Sequence, residues 1–292
     1  MTVALLGTGL LGGAIAQRLL ACGHPLTVWN RHAERCTPLL EGGARLAATP
    51  AAAAAEARWL ITVLSDGATT RNVLVEQIGG DLADRCVIQM GTIGPDESRE
   101  LAAAVTALGG RYLEAPVLGS KPEALNGTLQ LMAGGPAAVL EEARPLLDDL
   151  CSAPVHLGPV GSAMATKLAL NQLIASLTHA FSLSLHLVQQ SSVDVEAFMG
   201  LLRSSALYAP TFDKKLEREL SGDYSNPNFP TAHLRKDLAL FIEAAQQADL
   251  NAEGLTGLQQ LLQRSEHSPL DQLDYCALHA LTAGRAAAAE PH

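Results

Sequence analysis

The chain has 292 residues, 48% hydrophobic content and a formal net charge of -10, enough length and apolar content for a sizeable core divided over two ordinary domains. The acidic balance, with no dense Lys/Arg stripe, excludes nucleic acid and anionic membrane as partners, while a few local cations still allow a small anionic ligand. Five cysteines without a CxxC pair or a companion His cluster signal neither a metal site nor a disulfide framework, and point to a reduced cytoplasm.

The opening MTVALLGTG has no basic n-region and meets glycines too early for a signal sequence. No apolar run is expected to be long enough to span a bilayer. Between residues 2 and 157, VALL (3–6), LTVW (26–29), WLITVL (59–64), CVIQM (86–90), RYLEA (111–115), LQLMA (129–133) and PVHL (154–157) read as strands. Amphipathic helices at 10–22, 96–108 and 136–149 lie between them, and the alanine run at 51–55 reads as a helix turn. Such alternation predicts a largely parallel, doubly wound sheet.

After residue 160 the strand signals stop. Residues 161–190 predict one long helix with almost no charge, expected to be buried all round. Helices continue over 193–284, interrupted by the loop SGDYSNPNFP (221–230), and AAAAEPH has no pattern that needs a fixed structure. The expected organisation is an α/β domain over 1–160, an all-helical domain over 161–284 and a flexible tail over 285–292.

VALLGTGLLGGAIAQRLL sets Gly7, Gly9 and Gly12 as GxGxxG directly after a strand and before a helix, the setting a dinucleotide fingerprint requires. Gly7 allows the tight turn, Gly9 the approach of a pyrophosphate, and Gly12 close helix–sheet packing. With Thr8, Leu10 and Leu11 they form the expected cradle, whose helix N-terminus offers free N–H groups to phosphate. After the second strand, where an acidic residue would grip the ribose of NAD, stand Asn30 and Arg31. An Arg there forms charge-assisted bonds to a 2′-phosphate, so NADP (NADPH) is the expected cofactor. Arg35, one helical turn further on, either joins that clamp or sits on the surface.

In GSAMATKLALNQL (161–173), Lys167 and Asn171 lie four residues apart on one helix face. A buried ammonium is costly unless paired or used, and the alternative is a lysine that snorkels to the surface. GTGLLG, VWNR, LSD (64–66), EAPVLGSKPEALNGTLQLMAGG (114–135), GPVGSAMATKLALNQL (158–173) and FPTAHLRKDL (229–238) together resemble the β-hydroxyacid dehydrogenase family across nearly the whole chain. The likeness is greatest to its glyoxylate/succinic semialdehyde reductase branch. The resemblance implies an N-terminal Rossmann domain, a long interdomain helix and an all-α domain. It further implies Lys167 as catalytic lysine, Asn171 as substrate-orienting asparagine and Lys236 closing over the cofactor, with Leu64, Ser65 and Thr92 beside that cofactor. Phe229 and His233 would line the substrate pocket.

Two substrate-holding serines of the family are replaced here by Gly91 and Leu118, and an Asp by Gln89. Thr92, Gly119 and Ser120 remain, so a carboxylate would be held by fewer side chains in a pocket expected to be roomier at Gly91 and more apolar at Leu118. The expected function is NADPH-dependent reduction of a small aldehyde or keto acid. The alternatives are an imine reductase on the same fold and a non-catalytic NADP-binding protein. The apolar helices also predict a homodimer or larger homo-oligomer.

Overall fold

The computed structural model describes residues 2–283, so the expected tail at 285–292 lies outside the described residues. The chain begins with β1 (Val3–Leu6), α1 (Leu10–Ala21), β2 (Leu26–Trp29), α2 (Thr37–Glu41), β3 (Arg45–Leu46), α3 (Pro50–Ala54), β4 (Trp59–Thr62) and α4 (Gly67–Arg71). Next come β5 (Cys86–Gln89), α5 (Pro95–Ala107), β6 (Arg111–Glu114), β7 (Val117–Leu118), α6 (Lys121–Asn126), β8 (Gln130–Gly134), α7 (Ala137–Leu147) and β9 (Val155–Gly158). The remainder is helical: α8 (Ser162–Gln190), α9 (Val195–Arg203), α10 (Pro210–Ser221), α11 (Thr231–Gln247), α12 (Thr256–Gln263) and α13 (Leu278–Thr282).

Strands β3, β2, β1, β4, β5 and β6 lie side by side in that order and are all parallel. β8 joins antiparallel to β6 through the pair Glu114 and Gly134, and carries β7 and β9. A parallel sheet covered on both faces requires strands that are apolar at successive positions, and β1, β4 and β5 are buried throughout. The side chains of these strands and of β6 alternate between two cores: Leu5, Ile61, Ile88 and Leu113 in one, and Ala4, Leu60, Val87 and Tyr112 in the other. The doubly wound sheet followed by helices is the predicted architecture, with every predicted strand present. β3 and β7, two residues each, and the short α2, α4 and α6 are too brief to leave a period in the sequence.

Two expectations about α8 need correction. At 29 residues it is, by length and composition alone, long and apolar enough to cross a bilayer. Nor is it buried all round: Leu173, Leu183 and Leu187 are 51%, 54% and 68% exposed. Ala163, Met164, Ala175 and Leu185 line its buried stripe instead, while leucines also occupy the exposed face.

The chain divides into two compact units between Leu168 and Ala169, within α8. The first two turns belong with the sheet because Met164 packs into its core. In the second unit, Ala175, Leu234, Leu238, Leu258, Leu262 and Leu278 form one core. Phe181, Leu185, Met199, Phe212 and Leu216 form another, with the rings of Phe181 and Phe212 stacked at 4.7 Å.

Candidate active site

The glycine turn sits where the strand order reverses, at the carboxyl end of β1 between β2 and β4, the crevice in which doubly wound sheets bind ligands. Each glycine has a separate physical reason. Gly7 has a φ of +100°, and a Cβ there would lie 2.3 Å from the Val63 carbonyl oxygen. A Cβ on Gly12 would lie 2.0 Å from the Gly7 carbonyl oxygen, so α1 meets the turn at a distance only glycine permits. A Cβ on Gly9 would meet nothing within 4 Å; this is open space over the first turn of α1. That turn holds no acidic residue and no side-chain cap, which leaves its N–H groups and positive dipole end for a pyrophosphate. Leu10 is exposed, Leu11 half-buried and Thr8 buried.

The Gly7 N–H donates to the Trp29 carbonyl at 2.9 Å, tying the turn to the end of β2. Asn30 is held there: its Nδ2 donates to Thr8 Oγ1 at 2.9 Å, and its Oδ1 accepts from the His32 N–H at 2.9 Å. Asn30 thus braces the cradle. Arg31 and Arg35 are exposed beside it.

Leu64 and Ser65 follow β4, and Gly91 and Thr92 follow β5, which brings them to the same edge as the glycine turn. Asp66 caps α4 by accepting from the Thr69 N–H at 2.7 Å and takes the Ser65 hydroxyl at 2.5 Å. Gly91 does not enlarge the site as expected. It is buried, and a Cβ would lie 2.6 Å from the Leu64 carbonyl oxygen, so the missing side chain is filled by the close approach of two loops. Gln89 is fully buried with neither amide atom hydrogen-bonded to a described residue, next in register to the equally orphaned Thr62 hydroxyl.

Leu118 is half-buried and Gly119, with a φ of +117°, is exposed. Ser120 is engaged within the chain. Its N–H and its hydroxyl both donate to Glu123 Oε2, at 2.7 and 2.8 Å, in a capping box that starts α6.

Lys167 is half-buried on α8, in the same compact unit as the cradle. The helix starts at the carboxyl end of β6, where Glu114 Oε1 accepts from the N–H groups of Gly161 at 2.8 Å and Ala163 at 2.7 Å. Sequence reading passed over Glu114, because a carboxylate at a strand end has no local signature.

In the second unit, Asn171 is buried and its Nδ2 donates to Asp237 Oδ2 at 2.6 Å, leaving Oδ1 without a partner among the described residues. Asp237 also pairs with Lys236 Nζ at 3.0 Å. Asp237 therefore orients both neighbours, a role visible only once the contacts are known. The Phe229 ring lies 6.0 Å from His233 and 5.9 Å from Tyr275. His233 is exposed; desolvation by the chain around it, then the Lys236 ammonium, lower its pKa against the opposing Asp237 and Asp271. The loop that carries Phe229 is anchored by Asp274, which accepts from the Asn228 N–H at 3.2 Å and from Lys215 Nζ at 2.7 Å. Lys215 and Asp274, also unread in the sequence, are 5% and 0% exposed.

Residues 2–171 match the family described as the NAD binding domain of 6-phosphogluconate dehydrogenase, and residues 161–282 that described as NAD-binding of NADP-dependent 3-hydroxyisobutyrate dehydrogenase. The chain is 31% identical over 282 residues to glyoxylate/succinic semialdehyde reductase 1 of Arabidopsis thaliana, covering 95% of this chain and 97% of that protein. It is 30% identical over 243 residues to the cytokine-like nuclear factor N-PAC of Homo sapiens, covering 82% of this chain but only 44% of that longer protein. Among solved structures, 3-hydroxyisobutyrate dehydrogenase of Mycobacterium tuberculosis with L-serine superposes with a TM-score of 0.87 at 22% identity, over 97% of this chain and 99% of the other. An imine reductase from Myxococcus stipitatus in complex with NADP+ gives 0.66 at 20%, over 97% and 100%. At such identities the structural likeness concerns the fold, whereas the family matches reach from the glycine cradle through the helical unit. The chain belongs to the β-hydroxyacid dehydrogenase family and is an NAD(P)-dependent oxidoreductase of the 3-hydroxyisobutyrate dehydrogenase type.

Proposed function

We propose that this oxidoreductase uses NADPH to reduce a small aldehyde or keto acid to the alcohol or hydroxy acid, with Lys167 as proton donor. The observation that carries the reading is Lys167 itself, a half-buried ammonium in the second turn of a helix that starts at the ligand-binding edge of the sheet. The nicotinamide supplies the hydride. Lys167 stabilises the negative charge that builds on the carbonyl oxygen and delivers a proton to it. Asn171, its amide fixed by Asp237, orients the substrate without titrating. Arg31 holds the 2′-phosphate, Lys236 closes over the cofactor, and Phe229 and His233 line the substrate side. Reducing cytoplasm is the setting we assign, in keeping with five free cysteines.

Leu118 and the engagement of both Ser120 donors by Glu123 favour a substrate less dependent on a bound carboxylate. The same observation supports a second reading, reduction of a cyclic imine. A panel of glyoxylate, succinic semialdehyde, other small aldehydes, 2-keto acids and cyclic imines, assayed with NADPH, separates the two. Carbonyl reduction should fall by about 10²–10⁴-fold in Lys167→Ala with NADPH affinity nearly unchanged, and glyoxylate should be a poorer substrate than a bulkier or less polar carbonyl. Turnover confined to imines and indifferent to Lys167→Ala would replace the first reading by the second.

A further inference from the structure

We propose that Glu114 is a positioning residue for Lys167: its buried carboxylate pins the first turn of α8 to the end of β6 and so fixes the base from which the lysine projects. The inference rests on the proton-donor reading of Lys167.

Glu114 is fully buried, and no Lys or Arg among the described residues pairs with it. Its partners are instead the helix. Oε1 accepts from the N–H groups of Gly161, Ala163 and, at 3.4 Å, Met164. Oε2 accepts from Ser98 Oγ at 2.7 Å, and Ser98 lies 2.9 Å from the Tyr112 hydroxyl. Since the one Ser98 proton goes to Glu114, Tyr112 donates to Ser98; burial pushes the Tyr112 phenol up, which keeps that proton in place. Both oxygens are thus held, one by α8 and one by α5.

The surroundings are shaped for this contact. Across the ladder Glu114 faces Gly134, where a Cβ would lie 2.2 Å from Oε1. The chain enters α8 through Gly161, with a φ of +99° and the Arg99 guanidinium packed where a side chain would be. A helix start is ordinarily satisfied by a local Ser, Thr, Asp or Asn. Here the acceptor comes from 47 residues upstream, and burying a carboxylate is costly for stability. What it achieves that a local cap does not is mechanical: it joins the helix that bears Lys167 to the end of β6, on the same carboxyl edge of the sheet as the glycine cradle after β1. Lys167 lies less than one turn beyond Met164, so any slackening of this joint moves its ammonium.

The experiment is a double-substitution cycle on the full chain with NADPH and succinic semialdehyde, together with amide hydrogen exchange over residues 161–168. In Glu114→Ala the amides of Gly161, Ala163 and Met164 should exchange at least about tenfold faster. Its kcat should fall about 10–10²-fold, with the NADPH dissociation constant within about twofold of the parent. Glu114→Gln, which keeps an acceptor at Oε1, should recover most of the kcat. In a Lys167→Ala background, Glu114→Ala should cost little more. Gly134→Ala, which displaces the carboxylate without removing it, carries the same expectations should Glu114→Ala not fold. Unchanged kcat in these variants, or a full additional loss in the Lys167→Ala background, overturns the positioning role and leaves Lys167 as proton donor. Full turnover in Lys167→Ala alone overturns the proton-donor reading, and the positioning role with it.

Discussion

A single side chain, Asn30, illustrates how residue type and residue role separate. Its place after β2 marked it as a cofactor contact, yet both ends of its amide are engaged, by Thr8 and by the His32 N–H. Under the proposed NADPH reading, discrimination for a 2′-phosphate falls to Arg31, which is exposed beside the cradle. A charge-assisted hydrogen bond is worth roughly 1.5–3 kcal/mol. Arg31→Ala should accordingly reduce the preference for NADPH over NADH by about 10–100-fold while NADH affinity changes little. Isothermal titration with both cofactors decides it, and equal affinities in the parent protein would refute the NADP assignment. Gly91 teaches the complementary lesson: a missing side chain reads as space, but here the Leu64 backbone has moved into it.

At the scale of elements, the loop before α11 is anchored by a buried ion pair between Lys215 of α10 and Asp274. Removing one partner of such a pair leaves an uncompensated buried charge, at a cost of about 3–5 kcal/mol. Lys215→Ala should therefore destabilise the helical unit by that amount in urea unfolding, and a loss below about 1 kcal/mol would place the pair among inert contacts. Lys215 also lies 4.5 Å from the centre of the Tyr275 ring, so it is held from two sides. The pair has a pH signature as well. Burial raises the Asp274 pKa, but the hydrogen bond and charge of Lys215 with the Cys276 donors outweigh it, and the net shift is downward. A folded pKa below the unfolded one, near about 3.9, gives stabilisation that is complete above the unfolded value and is lost as pH falls through the folded one. Melting curves from pH 6 downward should show Asp274→Asn much less acid-sensitive than the parent, and parallel acid losses would contradict this.

For the whole molecule, the exposed leucines of α8 are the outstanding feature. Leu173, Leu183 and Leu187 are exposed on it, and Leu201 and Leu207 further along the chain are 74% and 78% exposed. A second copy of the chain is the cover we expect, in a closed symmetric assembly. Light scattering at micromolar concentration should give at least twice the chain mass of 30.6 kDa, and Leu183→Glu with Leu187→Glu should shift it toward the monomer. A monomeric parent would leave those leucines without an assembly role.

By itself the sequence determined the doubly wound sheet, because buried parallel strands must be apolar at successive positions and so announce themselves. The glycine cradle was legible because its three glycines fall at fixed spacing within one strand, turn and helix, although only Gly12 is imposed by a contact inside that unit and Gly7 meets Val63 after β4. Lys167 stood out because charge is rare in an apolar helix. Tertiary structure alone decided what those residues meet. Glu114 serves a helix 47 residues away, Asn171 is fixed by Asp237 66 residues on, and Lys215 pairs with Asp274 across 59. A hydrogen bond between residues so distant leaves no period or spacing in either segment, since it depends on where the fold brings two side chains and on their burial when they arrive. The exposed stripe of α8 was missed on the same ground, as composition reports how apolar a helix is and only packing selects which side is covered.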